Sequence, residues 1–231
     1  VSRDLWRGVI PAITTPFDDS DGVDLPFMAR HARWMLDAGC TGIVALGSLG
    51  EGGTLDADER REVLRTLVAA CGPRPVFASV AALSTREAER QAREGADLGC
   101  AGLMVLPPYV YRGRWEETRA HYGAVLDATP LSCMAYNNPI AYGTDLLPEH
   151  LAELASRHAN LHAVKESSAD VRRLTAIRAI LGERLSLLVG VDDLIVEGVA
   201  AGATGWIAGL VNALPSESVR LFDLATRAAG G

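Results

Sequence analysis

The chain has 231 residues, 48% hydrophobic and 22% charged, a balance that supports a packed core and excludes a disordered or collagen-like polymer. A formal net charge of −7 disfavours non-specific nucleic-acid binding, which needs a basic face. The richest apolar stretch, 185–211, is interrupted by Asp192, Asp193 and Glu197, so no segment is read as crossing a membrane.

In chain order, the opening residues VSRDLWRGVIPAITTPF lack the long apolar core of a secretory signal and predict a first strand at 8–15. A helix at 25–38 follows, then a strand at 42–48 that runs into the glycine-rich loop GSLGEGG (47–53). Asp56 and Glu59 have the spacing of a capping box for a helix at 56–71, and Ser84 and Glu87 have it for one at 84–98, with a strand at 75–81 between them. Strands at 101–107 and 131–137 flank a helix at 114–128. The second half continues with helices at 147–158, 170–181, 193–201 and 216–228, and with strands at 161–166, 185–191 and 204–211.

The segments DAGCTGIVALG, DLGCAGLMVLP and AAGATGWIAGL repeat one device, a helix ended by glycine that turns directly into an apolar strand. Strands this apolar are covered on both faces, which implies a parallel sheet under helices. Eight strand–helix units of about 29 residues predict a single-domain (β/α)8 TIM barrel over residues 1–231. A doubly wound open sheet is the alternative, but it would place a phosphate loop where this chain has Thr14-Thr15-Pro16-Phe17. In a barrel, the functional groups lie at the C-terminal ends of the strands.

The basic residues number 21 arginines and one lysine, Lys165. Alternation along 161–166 puts Leu161, Ala163 and Lys165 on one face, and a lysine at the end of a buried strand is unusual. An apolar site disfavours its ammonium and leaves a neutral amine able to attack a carbonyl, which arginine cannot do. Tyr136 ends the preceding strand, so its phenol lies within reach as a proton shuttle for a Schiff base. Ser48 and the free backbone N–H groups of GSLGEGG suit a carboxylate. Tyr109 and Tyr111 follow the fourth strand, where one extends a hydroxyl relay. After the seventh strand, Gly190 and Asp192 face the site while Asp193 caps a helix. The four cysteines (Cys40, Cys71, Cys100, Cys133) and five histidines show no metal spacing, so no metal site is expected and the thiols read as packing groups of a cytoplasmic protein.

The motifs GSLGE (47–51), YNNP (136–139) and VKES (164–167), in this order on these units, resemble the dihydrodipicolinate synthase and N-acetylneuraminate lyase family of class I aldolases. The resemblance implies no cofactor, a Schiff base on Lys165 with pyruvate or a related 2-oxo acid, and proton shuttling by Tyr136. It also implies carboxylate binding and relay by Ser48, a further relay tyrosine at Tyr109 or Tyr111, and a strand-8 backbone contact near Ile207. Leu49, Ser167, Gly190 and Asp192 fall at the corresponding substrate-binding strand ends. A homo-oligomer, commonly a tetramer, is implied too, as is a C-terminal helical extension that these residues do not contain.

Two departures bear on substrate. Leu49 stands where the family has a second loop hydroxyl, and Ala141 stands where its dihydrodipicolinate synthases carry an arginine. Together with YNNPIAYG, KESSADVRR, GVDDLIVE and GWIAGLVNALP, they resemble the branch that deaminates 1-pyrroline-4-hydroxy-2-carboxylate to 2-oxoglutarate semialdehyde. Dehydration or aldol cleavage of 2-keto-3-deoxy sugar acids and pyruvate aldol chemistry are the alternatives. A catalytically idle barrel that binds a small carboxylate is the reading from another class.

Overall fold

The computed structural model describes residues 3–108 and 110–230. Its eight strands are β1 (Gly8–Pro11), β2 (Ile43–Ala45), β3 (Val76–Val80), β4 (Gly102–Val105), β5 (Ser132–Asn137), β6 (Leu161–Glu166), β7 (Ser186–Val189) and β8 (Gly205–Ala208). They form one parallel sheet in the order β1-β8-β7-β6-β5-β4-β3-β2. The seam between β1 and β2 is closed by a parallel bridge from Ala12 to Val44, with Thr41 N donating to Val9 O and Ile13 N to Val44 O. The result is a (β/α)8 TIM barrel.

The helices are α1 (Leu25–Asp37), α2 (Ala57–Cys71), α3 (Thr85–Asp97), α4 (Trp115–Asp127), α5 (Pro139–Tyr142), α6 (Pro148–Arg157), α7 (Arg172–Leu181), α8 (Ile195–Ala200) and α9 (Pro215–Gly230). Asp56 and Glu59 make a reciprocal capping box on α2. Ser84 accepts from Glu87 N at the start of α3, but the Glu87 carboxylate turns instead to Arg90, so that box is only half formed. Asp193 does not cap α8, because it lies inside a 3₁₀ turn (Asp192–Leu194) and Leu194 occupies the cap position.

Alternation divides the strands between two cores. Ile10, Val44, Phe77, Met104, Met134, Ala163, Leu188 and Ile207 fill the barrel interior, while Val9, Ile43, Leu103, Cys133, Val164, Leu187 and Trp206 pack outward under the helices. Alternation from Leu161 fails at one point. Cys133 pairs with Leu161 and Met134 with Ala163, so His162 is an extra residue on β6. This bulge sends Leu161 to the outer core and brings His162 Nδ1 within 2.8 Å of Ser132 Oγ, which also accepts from Trp6 Nε1 on the barrel floor. Ala163 and Lys165 keep the inward phase. The first and last strands are shorter than 8–15 and 204–211, since the chain leaves the sheet after Pro11 and Ala208 and a 3₁₀ turn (Leu210–Asn212) follows β8.

The interior tolerates little added volume near its floor. A methyl group on Gly102 would come 2.6 Å from Ser132 O and 2.9 Å from Trp6 Cζ2, and neither a strand carbonyl nor a buried indole can easily give way. Gly102→Ala is therefore expected to cost about 1–3 kcal/mol, lowering Tm by several degrees in a thermal melt.

Candidate active site

Lys165 and Tyr136 are paired in register across β6 and β5, and both side chains are only 6% exposed. Lys165 Nζ sits 4.0 Å from the centroid of the Tyr136 ring. Room for the lysine comes from Gly190, just after β7. A methyl group on Gly190 would lie 1.9 Å from Ser167 Oγ and 2.6 Å from Lys165 Cε, so any side chain there would evict the amine.

Burial pushes the Lys165 amine below the usual lysine range, against the opposing pull of the Tyr136 phenol and the Asp192 carboxylate. For Tyr136, burial works upward, but the Lys165 charge and hydrogen bonding outweigh it and hold the phenol below its usual range. Asn138 Nδ2 donates to the phenol oxygen at 3.1 Å. Ser167 Oγ lies close enough to contribute to the shift, although it makes no hydrogen bond of ordinary geometry. Each group's charged form is thus favoured by the other's.

Around this pair lies a cavity of about 470 Å³ at the C-terminal ends of the strands. Its lining includes Ser48, Leu49, Tyr136, Lys165, Ser167, Gly190, Asp192 and Ile207, brought together from five βα units. Asp192 is committed structurally, for its oxygens accept from Trp206 Nε1, Gly209 N and Leu210 N and fix the end of β8. Leu49 is 51% exposed and presents an apolar wall. Tyr111 is outside this cavity. It is 60% exposed, and its hydroxyl donates to Glu117 at 3.3 Å because the loop after β4 turns outward toward α4. Tyr109 lies outside the described residues.

Three contributors lacked a sequence signal strong enough to single them out. Asn138 holds the Tyr136 phenol and, with its Oδ1 accepting from Ala141 N, starts the single turn α5. Tyr142, at the end of that turn, packs edge-on against Tyr136 at 5.6 Å and hydrogen-bonds Ser48 Oγ through its hydroxyl. Asn137 is completely buried on the outer face of β5; its Nδ2 donates to Glu166 at 3.0 Å and to Asp145 at 3.2 Å, while its Oδ1 accepts from Leu146 N. Arg173 completes this outer network with a bidentate pair to Asp145. Burial raises the Glu166 carboxyl, whereas Asp145, despite some burial, is held low by Arg173 and Asn137. Near the site, left-handed φ occurs at three described non-glycine residues, Leu46 (61°) before GSLGE, Glu51 (50°) at its end and Ala169 (62°) after KESS.

The chain matches the model of the dihydrodipicolinate synthetase family over residues 5–229. A 4-hydroxy-tetrahydrodipicolinate synthase of Natronomonas pharaonis is 35% identical over 226 residues, which span 97% of this chain and 76% of the relative. The crystal structure of a dihydrodipicolinate synthase from Aquifex aeolicus superposes with a TM-score of 0.93 at 28% identity, covering 97% of this chain and 77% of that one. An Escherichia coli K12 prophage protein of the dihydrodipicolinic acid synthase family, solved in complex with pyruvate, gives a TM-score of 0.92 at 28% identity, covering 98% and 79%.

Two predictions follow from the geometry. Because Lys165 is the sole lysine, reductive methylation read by peptide mass spectrometry reports its titration directly. Its half-modification pH should lie below that of an exposed lysine, and Tyr136→Phe should lower it further, since the phenol's negative form raises the amine's pKa. An alkaline shift in that variant would contradict the pairing. Asn137→Ala removes donors from the buried Glu166 and the acceptor of Leu146 N. It should cost about 3 kcal/mol, a drop of roughly 6–12 °C in Tm by differential scanning calorimetry.

Proposed function

The chain belongs to the dihydrodipicolinate synthetase family of class I lyases and aldolases, and we propose that it forms a Schiff base between Lys165 and the C2 atom of a small 2-oxo or cyclic imino monocarboxylate. The observation that carries this reading is the buried, register-matched pair of Lys165 and Tyr136 at the base of the 470 Å³ cavity. A neutral amine attacks C2, and a phenol beside it supplies and removes the protons that carbinolamine formation and dehydration require. Ser48 and the amides of its loop receive the carboxylate.

The cavity's charges support a substrate with one carboxylate. Among the lining residues Lys165 is the only cation, and the rest of the wall is apolar or neutral apart from the already engaged Asp192. Arg112 packs against Gly143 but does not line the cavity. A second carboxylate deep in this space would be desolvated without a counter-charge.

Within that limit the best reading is deamination of 1-pyrroline-4-hydroxy-2-carboxylate. Lys165 adds to C2 and displaces the ring nitrogen, which stays attached to C5. Loss of a C3 proton and of the 4-hydroxyl as water, followed by proton shifts, moves the double bond to C5. Two hydrolyses then release ammonia from C5 and the keto acid from C2, giving 2-oxoglutarate semialdehyde with net consumption of one water. The names of the relatives favour a second reading, condensation of pyruvate with an aldehyde, which uses the same first half-reaction. The tetramer implied by the resemblance is carried as part of the proposal, and so is a reducing, cytoplasmic setting. The latter is consistent with four buried free thiols, which burial pushes up to about 12 at Cys40, Cys100 and Cys133 and about 11 at Cys71.

Borohydride with pyruvate or the pyrroline substrate should add the reduced adduct's mass to the peptide containing Lys165, and Lys165→Arg should abolish the addition. No adduct with pyruvate, 2-oxobutyrate or the pyrroline would overturn the Schiff-base reading. Ammonia and semialdehyde formation from the pyrroline establishes deamination; an adduct without ammonia release, together with aldehyde-dependent pyruvate consumption, establishes condensation.

A further inference from the structure

We propose that Asn138 is a positioning residue that acts through Tyr136: its amide donates to the phenol oxygen and so turns the phenol's own proton toward Lys165. The inference rests on the Schiff-base reading above and extends it to the residue that opens α5. Alternation past the end of β5 puts Tyr136 and Asn138 on the inward face with Asn137 outward between them, and Asn138 lines the 470 Å³ cavity. Its orientation is fixed by a bond on its other side. Asn138 Oδ1 accepts from Ala141 N at 3.0 Å, and a backbone N–H can only donate, so the amide oxygen must face α5. Nδ2 therefore faces Tyr136 and donates to the phenol oxygen at 3.1 Å.

An amide nitrogen has no acceptor site to offer, so the phenol cannot point its hydrogen at Asn138. The rest of its freedom is small. Tyr142 packs edge-on against the ring, and Tyr122 of α4 donates to the Tyr136 carbonyl. The acceptors left for the phenol hydrogen lie on and just after β6. They are the Lys165 amine, 4.0 Å from the ring centroid, and Ser167 Oγ, a buried hydroxyl that makes no hydrogen bond of ordinary geometry. Asparagine is the residue type that serves both ends of this arrangement. Aspartate and serine cap helices as well, but one would present a charged acceptor to the phenol and the other carries no amide group.

Schiff-base chemistry uses this donor at a definable moment. In the carbinolamine, C2 carries the former carbonyl oxygen as a hydroxyl and the Lys165 nitrogen as a secondary amine. On dehydration the nitrogen lone pair becomes the C=N bond, the C–O bonding pair leaves with the oxygen, and the Tyr136 phenol gives that oxygen its proton. Water departs, leaving an iminium cation and a phenolate. The Asn138 N–H is already aimed at the oxygen that gains this charge, and the amide keeps its own protons throughout. In the free protein burial works against the phenolate, and the Lys165 charge and the Asn138 bond are among the effects that outweigh it. The other titratable groups around the phenol, among the described residues, are Tyr142 at its ring and Tyr122 at its carbonyl, with Asp192 bearing on Lys165.

Two measurements separate this inference from the reading beneath it. Ultraviolet titration follows tyrosinate formation in the free protein, the Tyr136 step being the one that Tyr136→Phe removes. Timed borohydride quenching with pyruvate gives the rate and final extent of adduct formation on Lys165. Asn138→Ser and Asn138→Asp both keep an oxygen able to cap α5 while removing the amide donor, and thermal melts confirm that they are folded. The Tyr136 step should move to higher pH in both, by about one unit or more in Asn138→Asp, where a carboxylate opposes the phenolate. Asn138→Ser changes no charge, so its shift reports the lost bond alone. Adduct formation at neutral pH should slow by about tenfold in both variants while reaching the parent's final extent. A Tyr136 step that stays in place in both variants would overturn the inference, even beside a slower adduct, because a merely structural asparagine predicts that result. An adduct rate equal to the parent's would overturn it too. Absence of any adduct in the parent would instead remove the Schiff-base reading itself, whatever the titration shows.

Discussion

Everything in this site depends on keeping one amine out of water. Lys165 lies inside a parallel barrel, where desolvation works against its charge, while the Tyr136 phenol favours it and Gly190, just after the next strand, leaves it room. Register enforces the arrangement. Tyr136 sits opposite Lys165 because β5 and β6 are paired from Met134–Ala163 onward, and that phase follows the single-residue bulge at His162. Without the bulge the hydrogen-bonding ladder would shift by one residue, and the amine would be offered to the outer core.

The same two strands use their outward residues to hold the inward ones still. Asn137 and Glu166, adjacent in sequence to Tyr136 and Lys165, are joined on the outer face and tied to Asp145, Arg173 and the Ser168 amide. Tyr122 of α4 donates to the carbonyls of Val105 and Tyr136, binding the ends of β4 and β5 together. Alternation therefore does two jobs within four residues: chemistry faces in, and a satisfied polar network faces out. The network is charged and at least partly buried throughout, so its worth lies in fixing the strand ends more than in net stability.

Much of this was legible in the sequence, and the parts that were not have physical causes. The repeated glycine-to-strand device announced the barrel, and Lys165, Tyr136 and Ser48 followed from asking which residues end the strands. Tyr142 escaped because it belongs to a one-turn helix, too short to show periodicity, whose direction depends on an asparagine cap and a left-handed glycine. Tyr111 shows the converse: it stands next to the strand end, and the loop carries it outward to Glu117. The bulge at His162 was invisible because it inserts no glycine or proline; only the pairing of β5 with β6 reveals it. Leu46 and Ala169, strained beside the site, carry no mark in their residue types.

The lone lysine gains its meaning from what the arginines do. Arg60 is buried and donates to the carbonyls of Gly52 and Ser79, holding the loop behind Ser48. Arg184 donates to the carbonyls of Leu161, Ala155 and His158 beneath β6, and Arg173 grips Asp145 with both nitrogens. Each of these tasks uses several fixed donors on a group that never gives up its charge, and a lysine would do it less well. The proposed Schiff base needs the opposite property at one position, an amine able to lose its proton and form a bond through nitrogen. In a chain with 21 arginines and one lysine, the single exception occupies the one described basic position lining this cavity, so the composition itself points to the place of the proposed chemistry.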